Sequence, residues 1–462
     1  MNPKQQFIYY GTAGKDYPRF DPAQPLPPHL QPTKQYEAQL GLRALPFLPF
    51  LPPFNLGFLE GIVGRIGIRS MTGAKLRQWM PANLTRMHPD KSSDEFFVER
   101  RLNGFNPGKL NRVQGQDWQY EVRYLTGRHH VEPAGLIPDY IEARFTLVDH
   151  RLKVHSIAYS LQKQPFLYHP SDTPEWERAK QLFRNSEYIF QEIQSHLART
   201  HMNMDQYAMA FYRNVSSNPI QELLAPHFVG LLNIDKKGAA LIIGNTGFIP
   251  EASSLTTEGV DNVLVAEISK LSYKGWSPKN QALPDQIHNN YFDPAALCVW
   301  QILEDYVAEF VSKQASGIEQ YWAEIEGMSA DLVKHSILDA SLVKQFGTLA
   351  VENLEDLKAL SVYVIYHSLF FHSWVNNKQY EDGGDVEYAA IGLWDTTDPA
   401  YDQALVDQRH DAQVKLMWQL ANVHYKPVME VGPSALKQRL WEQRATIEPG
   451  ISLDWLMMSI NI

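Results

Sequence analysis

The sequence predicts a large, mainly helical protein with long helices buried in its core and minor β elements. Apolar residues recur at helical spacing over residues 176–204 and 296–313. Residues 354–376 are apolar on nearly every side, as expected of a helix that lies inside a core. Strand signals are few, so we expect one large helical domain.

Each predicted element has its own signals. The helix over residues 176–204 follows Pro174-Glu175-Trp176-Glu177, which places a proline and two acidic side chains where the start of a helix favours them. Residues 140–148 and 152–161 have the composition of strands and are predicted to pair across a two-residue turn. A last helix is predicted over residues 411–421.

Composition and charge exclude several classes of protein. The chain has 462 residues, of which 44% are hydrophobic and 20% charged, so it can bury a sizeable core. Its formal net charge of −10, without a basic block, argues against a nucleic-acid partner. A single cysteine, Cys298, excludes an intramolecular disulfide and a cysteine-based zinc site. Residues 1–10 contain no run of signal-peptide type and no stretch approaches a membrane span, so we expect a soluble cytoplasmic protein.

A proline-rich stretch, residues 17–56, precedes the helical part of the chain. Proline at this density excludes helices and central strands. The stretch is nevertheless too apolar for a solvated linker. Either it wraps over the body of the protein and buries Phe47, Phe50 and Phe54, or it presents them to a membrane surface as a peripheral contact.

Pairs of histidines five residues apart occur twice in the chain. Because the sequence contains 16 histidines, this spacing alone carries little information. The pairs are His196 with His201 and His367 with His372. On an α-helix, such positions point about 140° away from each other, so they share a metal ion only where the helix widens to a π-helix. By contrast, His372 and Asn376 are four residues apart and point the same way on a regular helix.

Several segments resemble the lipoxygenase family. In chain order they are Arg101-Leu-Asn-Gly-Phe-Asn-Pro107, Ser195-His-Leu-Ala-Arg-Thr-His201, Leu223-Leu-Ala-Pro-His227-Phe, Asn233-Ile234, Asn280-Gln-Ala-Leu-Pro284 and His372-Ser-Trp-Val-Asn376-Asn-Lys-Gln379-Tyr380. These segments follow the family's order from about residue 95 to a final isoleucine. The resemblance therefore covers most of the chain.

The resemblance implies a non-haem iron site with five ligands. It makes imidazole ligands of His196, His201 and His372, a weak oxygen ligand of Asn376, and the anionic ligand of the terminal carboxylate of Ile462. Imidazole and carboxylate ligands suit iron, and the same set does not exclude manganese. The alternative is that the histidines are satisfied residues of buried helices, and this is our interpretation of His367.

The activity implied by the resemblance is the dioxygenation of polyunsaturated fatty acids. In that family, ferric hydroxide removes a hydrogen atom from a doubly allylic carbon, O2 adds to the pentadienyl radical, and a fatty-acid hydroperoxide forms. Two alternatives are a fatty-acid hydroperoxide isomerase that uses the same site and a lipid-binding relative without catalysis. The expected partners are a polyunsaturated fatty acid and O2, with no nucleic acid and no partner protein.

The same resemblance assigns residues around the metal and the substrate. Glu192 and Gln379 match positions of a hydrogen-bond relay between substrate channel and metal, although Glu192 alternatively lies on a solvated helix face. Gly238 matches the stereocontrol position, where glycine goes with R products, or it is a turn glycine after two lysines. The residues assigned to the reacting part of the substrate are Ile242, Ile249 and Leu420, for which core packing is the more economical explanation.

The sequence departs from the larger members of the family at its N-terminus. Those members carry an N-terminal β-barrel, whereas here the matching segments begin near residue 95 and proline-rich sequence precedes them. This pattern implies a compact form similar to bacterial and cyanobacterial members. We therefore expect a proline-rich extension over residues 1–65 and a catalytic domain over residues 66–462.

Overall fold

The computed structural model describes residues 3–31, 90–125, 130–171, 173–244, 247–421 and 426–461. The α-helices in the first half of the chain are α1 (Pro3–Gln6), α2 (Asp94–Asn103), α3 (Pro174–Phe190), α4 (Asn203–Asn214), α5 (Ile220–Leu224), α6 (Leu231–Leu241), α7 (Phe248–Ala252) and α8 (Thr257–Ile268). Those in the second half are α9 (Phe292–Gln320), α10 (Trp322–His335), α11 (Ala340–Phe346), α12 (Leu354–Tyr366), α13 (His372–Gly383), α14 (Gln403–Ala421), α15 (Val428–Val431), α16 (Ser434–Glu442) and α17 (Arg444–Ile447). Short 3₁₀ turns cover Pro28–Leu30, Ala225–Phe228, Pro278–Asn280 and Leu453–Trp455. The predicted mainly helical architecture is confirmed.

Two π-helical segments interrupt the central helices. The first, Gln191–Met202, joins α3 to α4, and the second, His367–Phe371, joins α12 to α13. The residues at each junction keep right-handed helical backbone angles, so both helices continue through the widened segments without a break. The predicted helices over residues 176–204 and 354–376 are therefore present, each with a π-helical insertion.

The strands form one antiparallel sheet in chain order. They are β1 (Asn111–Arg112), β2 (Tyr120–Leu125), β3 (Tyr140–Val148), β4 (Arg151–Leu161) and β5 (Gln164–Tyr168). β3 and β4 pair as the sequence predicts, with Val148 opposite Arg151. Asp149 and His150 between them have φ angles of 50° and 60°, as a two-residue hairpin turn of the I′ type requires.

The apolar core of the described residues contains two large clusters. The first surrounds α4, α9 and α12 and includes Leu303 and Tyr363. The second joins the sheet to α3 and to the first π-helical segment, through Phe145, Phe183 and Leu197. The two π-helical segments lie within this core, because their residues are almost all buried. This burial removes solvent from both sides of the central helices.

The N-terminal extension is described only over residues 3–31. Phe7, Phe20 and Leu26 in this part are buried in the first cluster, so it packs on the helical body. Phe47, Phe50, Phe54 and the domain boundary at residue 65 lie outside the described residues. Core packing and membrane contact of these aromatic residues therefore both stay predictions, as does the boundary. Among the described helices, none is both long and apolar enough to cross a membrane.

Candidate metal centre

The first π-helical segment brings His196 and His201 onto one side of the helix. Their ring centroids lie 5.0 Å apart, a separation that a regular α-helix would not allow at a spacing of five residues. The hydroxyl of Thr200 donates a hydrogen bond to the backbone oxygen of His196 at 2.5 Å. This bond satisfies a carbonyl inside the widened segment, where side-chain hydroxyls often replace the regular ladder. The predicted π-helical geometry is therefore present.

The third histidine comes from the other central helix. His372 is the first residue of α13, directly after the second π-helical segment, and its ring centroid lies 5.4 Å from that of His196 and 5.2 Å from that of His201. One nitrogen from each of the three rings lies within 4.8 Å of the other two. All three side chains are buried. The two π-helical segments thus converge on one triad of imidazoles.

Two carboxylates contact the outward nitrogens of this triad. The Nδ1 atom of His196 lies 3.2 Å from the Glu192 carboxylate, and that of His201 lies 2.5 Å from the Asp235 carboxylate. A carboxylate in this position fixes the tautomer, because Nδ1–H donates to it and the Nε2 lone pair points the other way. The Nε2 atoms of His196 and His201 are buried and have no hydrogen-bond partner among the described residues. Such atoms are costly to bury unless they bind something.

The donor set fits a divalent or trivalent metal ion. Burial and the neighbouring His196 hold the pKa of His201 well below its ordinary value, so the ring is neutral, which is the form that ligates metals. The side-chain oxygen of Asn376, four residues after His372 on α13, is also buried without a hydrogen-bond partner in the described part of the chain. Ile462 lies outside the described residues. Its terminal carboxylate as the fifth ligand therefore stays a prediction.

Glu192 and Gln379 lie inside the protein next to the triad. Glu192 is only 2% exposed and contacts His196, so the alternative of a solvated helix face is wrong. Gln379 is fully buried on α13, and its side-chain oxygen accepts a hydrogen bond from Gln191 at 3.2 Å. Gln191 also lies 3.4 Å from the backbone oxygen of Val375, so the two central helices are linked by amide groups beside the triad. A relay role for these residues stays a prediction.

The residues assigned to the substrate lie beside the second apolar cluster. Ile249 on α7 is buried in it, and Ile242 and Leu420 pack against it while half-buried. Ile242 and Ile249 are joined by a backbone hydrogen bond of 2.9 Å. Leu197 of the first π-helical segment belongs to the same cluster. Core packing and substrate contact are both compatible with this placement.

Gly238 lies inside α6, not in a turn. The alternative of a turn glycine is therefore wrong, since the helix runs on to Leu241 and the Gly238 oxygen accepts from the Ile242 N–H at 2.8 Å. A β-carbon added at Gly238 would lie 3.5 Å from the δ-carbon of Ile242, an ordinary contact. The backbone conformation at this position does not require glycine. Replacing glycine by alanine here would therefore change mainly the size of the side chain.

His367 takes no part in the triad. Its Nδ1 atom lies 2.8 Å from the backbone oxygen of Tyr363, and its ring lies 4.1 Å from that of Tyr363 and 4.6 Å from that of Trp276. Burial and Arg199 lower the pKa of His367 to about 3, so it is neutral. It is a buried residue of an aromatic cluster, in agreement with the interpretation made from the sequence.

Asp235 was not singled out by sequence reasoning, although it contacts His201. It lies beside Asp205, and both carboxyl groups are buried. Burial raises the pKa of Asp205 well above its ordinary value, and the neighbouring Asp235 raises it further. Burial raises the pKa of Asp235 to about 8. No local motif reveals this pair, since Asp205 and Asp235 lie on different helices.

Asn106 lies in a segment that the sequence analysis quoted, but no role was assigned to it there. Its side-chain oxygen accepts a hydrogen bond from the Ser195 hydroxyl at 2.7 Å, and its amide donates to the Tyr124 hydroxyl at 2.8 Å. Arg101 forms an ion pair with Glu187 and contacts the Asn106 backbone oxygen. The loop after α2 is thus bonded to the π-helical segment directly before His196.

The end of the described chain is buried against the segment between α5 and α6. Ser459, Ile460 and Asn461 are at most 2% exposed. The Ser459 hydroxyl donates to the backbone oxygen of Val229 at 2.7 Å, and the Met458 oxygen lies 2.6 Å from Nδ1 of His227. Burial lowers the pKa of His227 to about 4, so a neutral ring donates to that oxygen. The chain therefore enters the protein interior as it approaches residue 462.

Gly230 lies next to this buried end and is expected to be intolerant of a side chain. It has a φ of 86°, and an added β-carbon would lie 3.0 Å from the Asn461 β-carbon. We expect Gly230→Ala to lower the free energy of unfolding by about 1–3 kcal/mol through backbone strain, plus the cost of displacing residue 461. Chemical denaturation of both proteins measures this difference.

Gly115→Ala is the comparison for this prediction. Gly115 also has a positive φ, 73°, and an added β-carbon would have no atom of the described residues within 4 Å. The comparison measures the cost of a side chain at a positive φ without the contact with residue 461. Equal destabilisation by the two substitutions would show that the contact with the C-terminal segment has no energetic effect.

A family model and two curated proteins that are similar to this chain point to the same family. The family model described as lipoxygenase matches residues 162–292, which include His196 and His201. The chain is 35% identical to the linolenate 9R-lipoxygenase of Nostoc sp. over 380 residues, which cover 81% of this chain and 47% of that protein. It is 25% identical to the 12R-type arachidonate 12-lipoxygenase of Rattus norvegicus over 272 residues, 48% of this chain and 37% of that protein. The chain thus spans about half the length, or less, of these relatives.

Solved structures share the fold over almost the whole chain. A 9R-lipoxygenase from Cyanothece PCC8801 superposes with a TM-score of 0.81 and 22% identity, over 99% of this chain and 76% of that chain. A coral 8R-lipoxygenase superposes with a TM-score of 0.76 and 18% identity, over 96% and 75% of the two chains. Family model, sequence identity and fold agree with the convergence of three histidines on two π-helical segments. This chain belongs to the lipoxygenase family.

Proposed function

We propose that this chain is a non-haem iron dioxygenase that converts polyunsaturated fatty acids into hydroperoxides, of R configuration. The observation that carries the proposal is the buried triad of His196, His201 and His372, with its nitrogens within 4.8 Å of one another. The relatives named 9R- and 12R-lipoxygenases support the substrate class and the R configuration. When bound, iron supplies the one-electron redox chemistry that this reaction needs.

The chain's own contribution begins with holding the metal in fixed geometry. Glu192 and Asp235 accept hydrogen bonds from two of the imidazoles, which orients the rings and makes their ligating nitrogens more basic. Asn376 presents a neutral oxygen from the helix that also carries His372. Because the side chains at the site are buried, bulk water is kept away from reactive intermediates.

The apolar side of the site is the proposed location of the reacting part of the substrate. A pentadiene segment has no polar groups, so orientation there depends on shape and apolar contact. Ile242, Ile249 and Leu420 provide such a surface, in or against the apolar cluster that also contains Leu197 of the first π-helical segment. In the overall reaction both atoms of O2 enter the fatty acid, and the abstracted hydrogen is balanced by the proton of the hydroperoxide.

Oxygen uptake with a free fatty acid tests this function directly. The purified chain is loaded with Fe²⁺, and O2 consumption is measured with linoleate and arachidonate alongside the metal content. Uptake equal to the hydroperoxide formed supports the proposal. Consumption of an added fatty-acid hydroperoxide without O2 uptake would instead indicate an isomerase, and a chain that retains no metal would contradict any enzyme on this site.

Gly238→Ala is expected to be stable and to change the product. The added methyl group makes only an ordinary contact with Ile242, and alanine is favoured over glycine inside a helix by about 0.5–1 kcal/mol. If the missing side chain leaves room for O2, filling it should shift the hydroperoxide from R towards S and to a different carbon. Chiral chromatography of the products measures the shift. An unchanged product from a fully folded variant would remove Gly238 from the proposed stereocontrol position.

A further inference from the structure

The loop that follows α2, residues 104–106, bonds to both helices that carry the histidines of the triad. On one side, the indole N–H of Trp374 donates to the backbone oxygen of Gly104 at 3.1 Å. Trp374 is fully buried on α13, two residues after His372. The 104–106 loop is thus attached to one ligand helix beside a histidine of the triad.

On the other side, the 104–106 loop bonds to the first π-helical segment. The Ser195 hydroxyl donates to the Asn106 side-chain oxygen at 2.7 Å, and Ser195 directly precedes His196. Both side chains of this bond are buried. Among the described residues, Ser195 and Trp374 share no hydrogen bond with each other, so the two attachments meet only in the loop.

The 104–106 loop is itself held in place between these two bonds. The Phe105 N–H donates to the Asp382 carboxylate of α13 at 3.2 Å, and the same carboxylate pairs with Arg100 at 2.7 Å. An added β-carbon at Gly104 would overlap the Arg100 backbone oxygen and lie 2.9 Å from the Asp382 carboxylate, so this close approach requires glycine. Buried bonds of this kind hold a loop in one conformation.

The spacing of the triad depends on two helices. His196 and His201 belong to one π-helical segment, which determines their separation, whereas His372 belongs to α13. The ring centroids of His196 and His372 lie 5.4 Å apart, and this distance depends on how the two helices pack. A functional site needs its groups within about 0.5 Å of the productive arrangement. A link that bonds beside both histidines would provide this precision.

We propose that the 104–106 loop links the two ligand helices at the spacing that the metal needs. Asn106 is then a positioning residue that acts on His196 through Ser195. The inference rests on the proposed function, since it concerns the affinity of the same site for its metal. A site held at the correct spacing before binding loses less freedom when the metal binds. Gln191 also joins the two helices directly, so loss of the loop's bonds weakens metal binding without abolishing it.

The test measures Fe²⁺ affinity rather than activity. Fe²⁺ is added anaerobically to the full chain after removal of its metal, in competition with a chromophoric chelator. We expect Asn106→Ala, Ser195→Ala and Trp374→Phe each to weaken Fe²⁺ binding about 10-fold, at the lower end of what changes around metal ligands cause. Unchanged affinity in any of the three variants would overturn the proposal.

A double-mutant cycle distinguishes a link from two separate local effects. A connection through one loop is lost once either end is released. The double variant of Ser195→Ala and Trp374→Phe should therefore bind Fe²⁺ no more weakly than the more affected single variant. Additive losses, about 100-fold in the double variant, would show that each side chain affects only its own histidine and would overturn the link.

Ser361→Ala and Trp176→Phe are the matched controls. Ser361 is fully buried, and its hydroxyl donates at 2.7 Å to the Leu357 oxygen of its own helix. Trp176 is almost as deeply buried as Trp374, but its indole N–H donates to Asp94 at 2.8 Å, at the start of α3. We expect both controls to bind Fe²⁺ normally even where their melting temperatures fall. A loss of affinity in the controls equal to that in Ser195→Ala and Trp374→Phe would indicate general destabilisation and would overturn the proposal.

The visible absorption of bound Co²⁺ gives a second readout, which loss of stability alone does not change. Its d–d bands depend on the arrangement of the ligands. We expect Asn106→Ala to alter these bands and Ser361→Ala to leave them as in the wild type. A wild-type spectrum in Asn106→Ala would contradict the positioning role of Asn106.

Failure of the inference and failure of the proposed function give different results. Wild-type protein that binds Fe²⁺ with the expected variant pattern but consumes no O2 with fatty acids would refute the proposed function while supporting the link. O2 uptake by the wild type together with additive losses in the cycle would overturn only the link. Wild-type protein that binds no metal would refute both.

Discussion

His372→Ala is expected to abolish metal retention and fatty-acid oxygenation while leaving the fold intact. The site is formed by three imidazoles from two helices, and removal of His372 leaves both remaining imidazoles on one helix. The variant keeps two imidazoles, the weak Asn376 oxygen and the predicted Ile462 carboxylate, a set that binds iron less tightly than the complete one. The bound metal should therefore fall from about one ion per chain to a small fraction of that after dialysis. Metal analysis after dialysis and O2 uptake with linoleate measure the loss, and circular dichroism reports the helix content.

His367→Asn is the matched control for this experiment. His367 is as deeply buried as His372 and stands five residues before it, but it bonds to the Tyr363 backbone oxygen instead of joining the triad. An asparagine amide can still donate to that oxygen. We expect a less stable protein with normal metal content. Metal loss in His367→Asn of the same size as in His372→Ala, or full metal in His372→Ala, would contradict the assignment of ligands.

Deletion of Ile462 is expected to have an effect of similar size. The described chain is buried up to Asn461. Removing residue 462 moves the terminal carboxylate about 3.8 Å back along the chain, away from the position predicted for the anionic ligand. If that carboxylate binds iron, as the resemblance implies, the site loses it and with it much of its affinity for iron. Metal analysis and O2 uptake of the shortened chain measure this effect.

Ile462→Val separates the carboxylate from the side chain. This variant keeps the main-chain carboxylate at the same position and removes only one methyl group, so we expect normal metal content. A short polar extension after Ile462 should behave like the deletion, because the carboxylate is then displaced from the site. Full metal and activity in the extended or shortened chain would exclude the carboxylate of residue 462 as a ligand.

The histidines of the site could be identified from the sequence through the resemblance to the family, and local helix geometry then limited how they could share an ion. The five-residue spacing of His196 and His201 requires a π-helix if both are to share an ion, and the structure contains such a segment at that place. The spacing of His372 and Asn376 likewise fits one face of a regular helix. The hairpin of β3 and β4 could also be predicted from the sequence, because its two strands and its turn lie within one continuous stretch.

Other features depended on contacts between distant parts of the chain. The spacing rules did not reveal that Asp235 reaches His201 or that Asn106 bonds to Ser195, because these pairs are 34 and 89 residues apart. Glu192 had a solvated alternative that only its burial excludes. Gly238 after two lysines has the composition of a turn, yet the structure continues α6 through it because tertiary context overrides local propensity.

The sequence by itself determined the mainly helical class and the need for a widened helix if His196 and His201 share an ion, because helical periodicity and spacing are properties of neighbouring residues. The membership of the triad was implied by the resemblance to the family. Only the tertiary structure decided which carboxylates orient the ligands, that Asp205 and Asp235 form a buried pair, and that residues 3–31 place Arg19 beside them. These facts depend on which helices pack together, and packing is determined by the whole core rather than by any one segment.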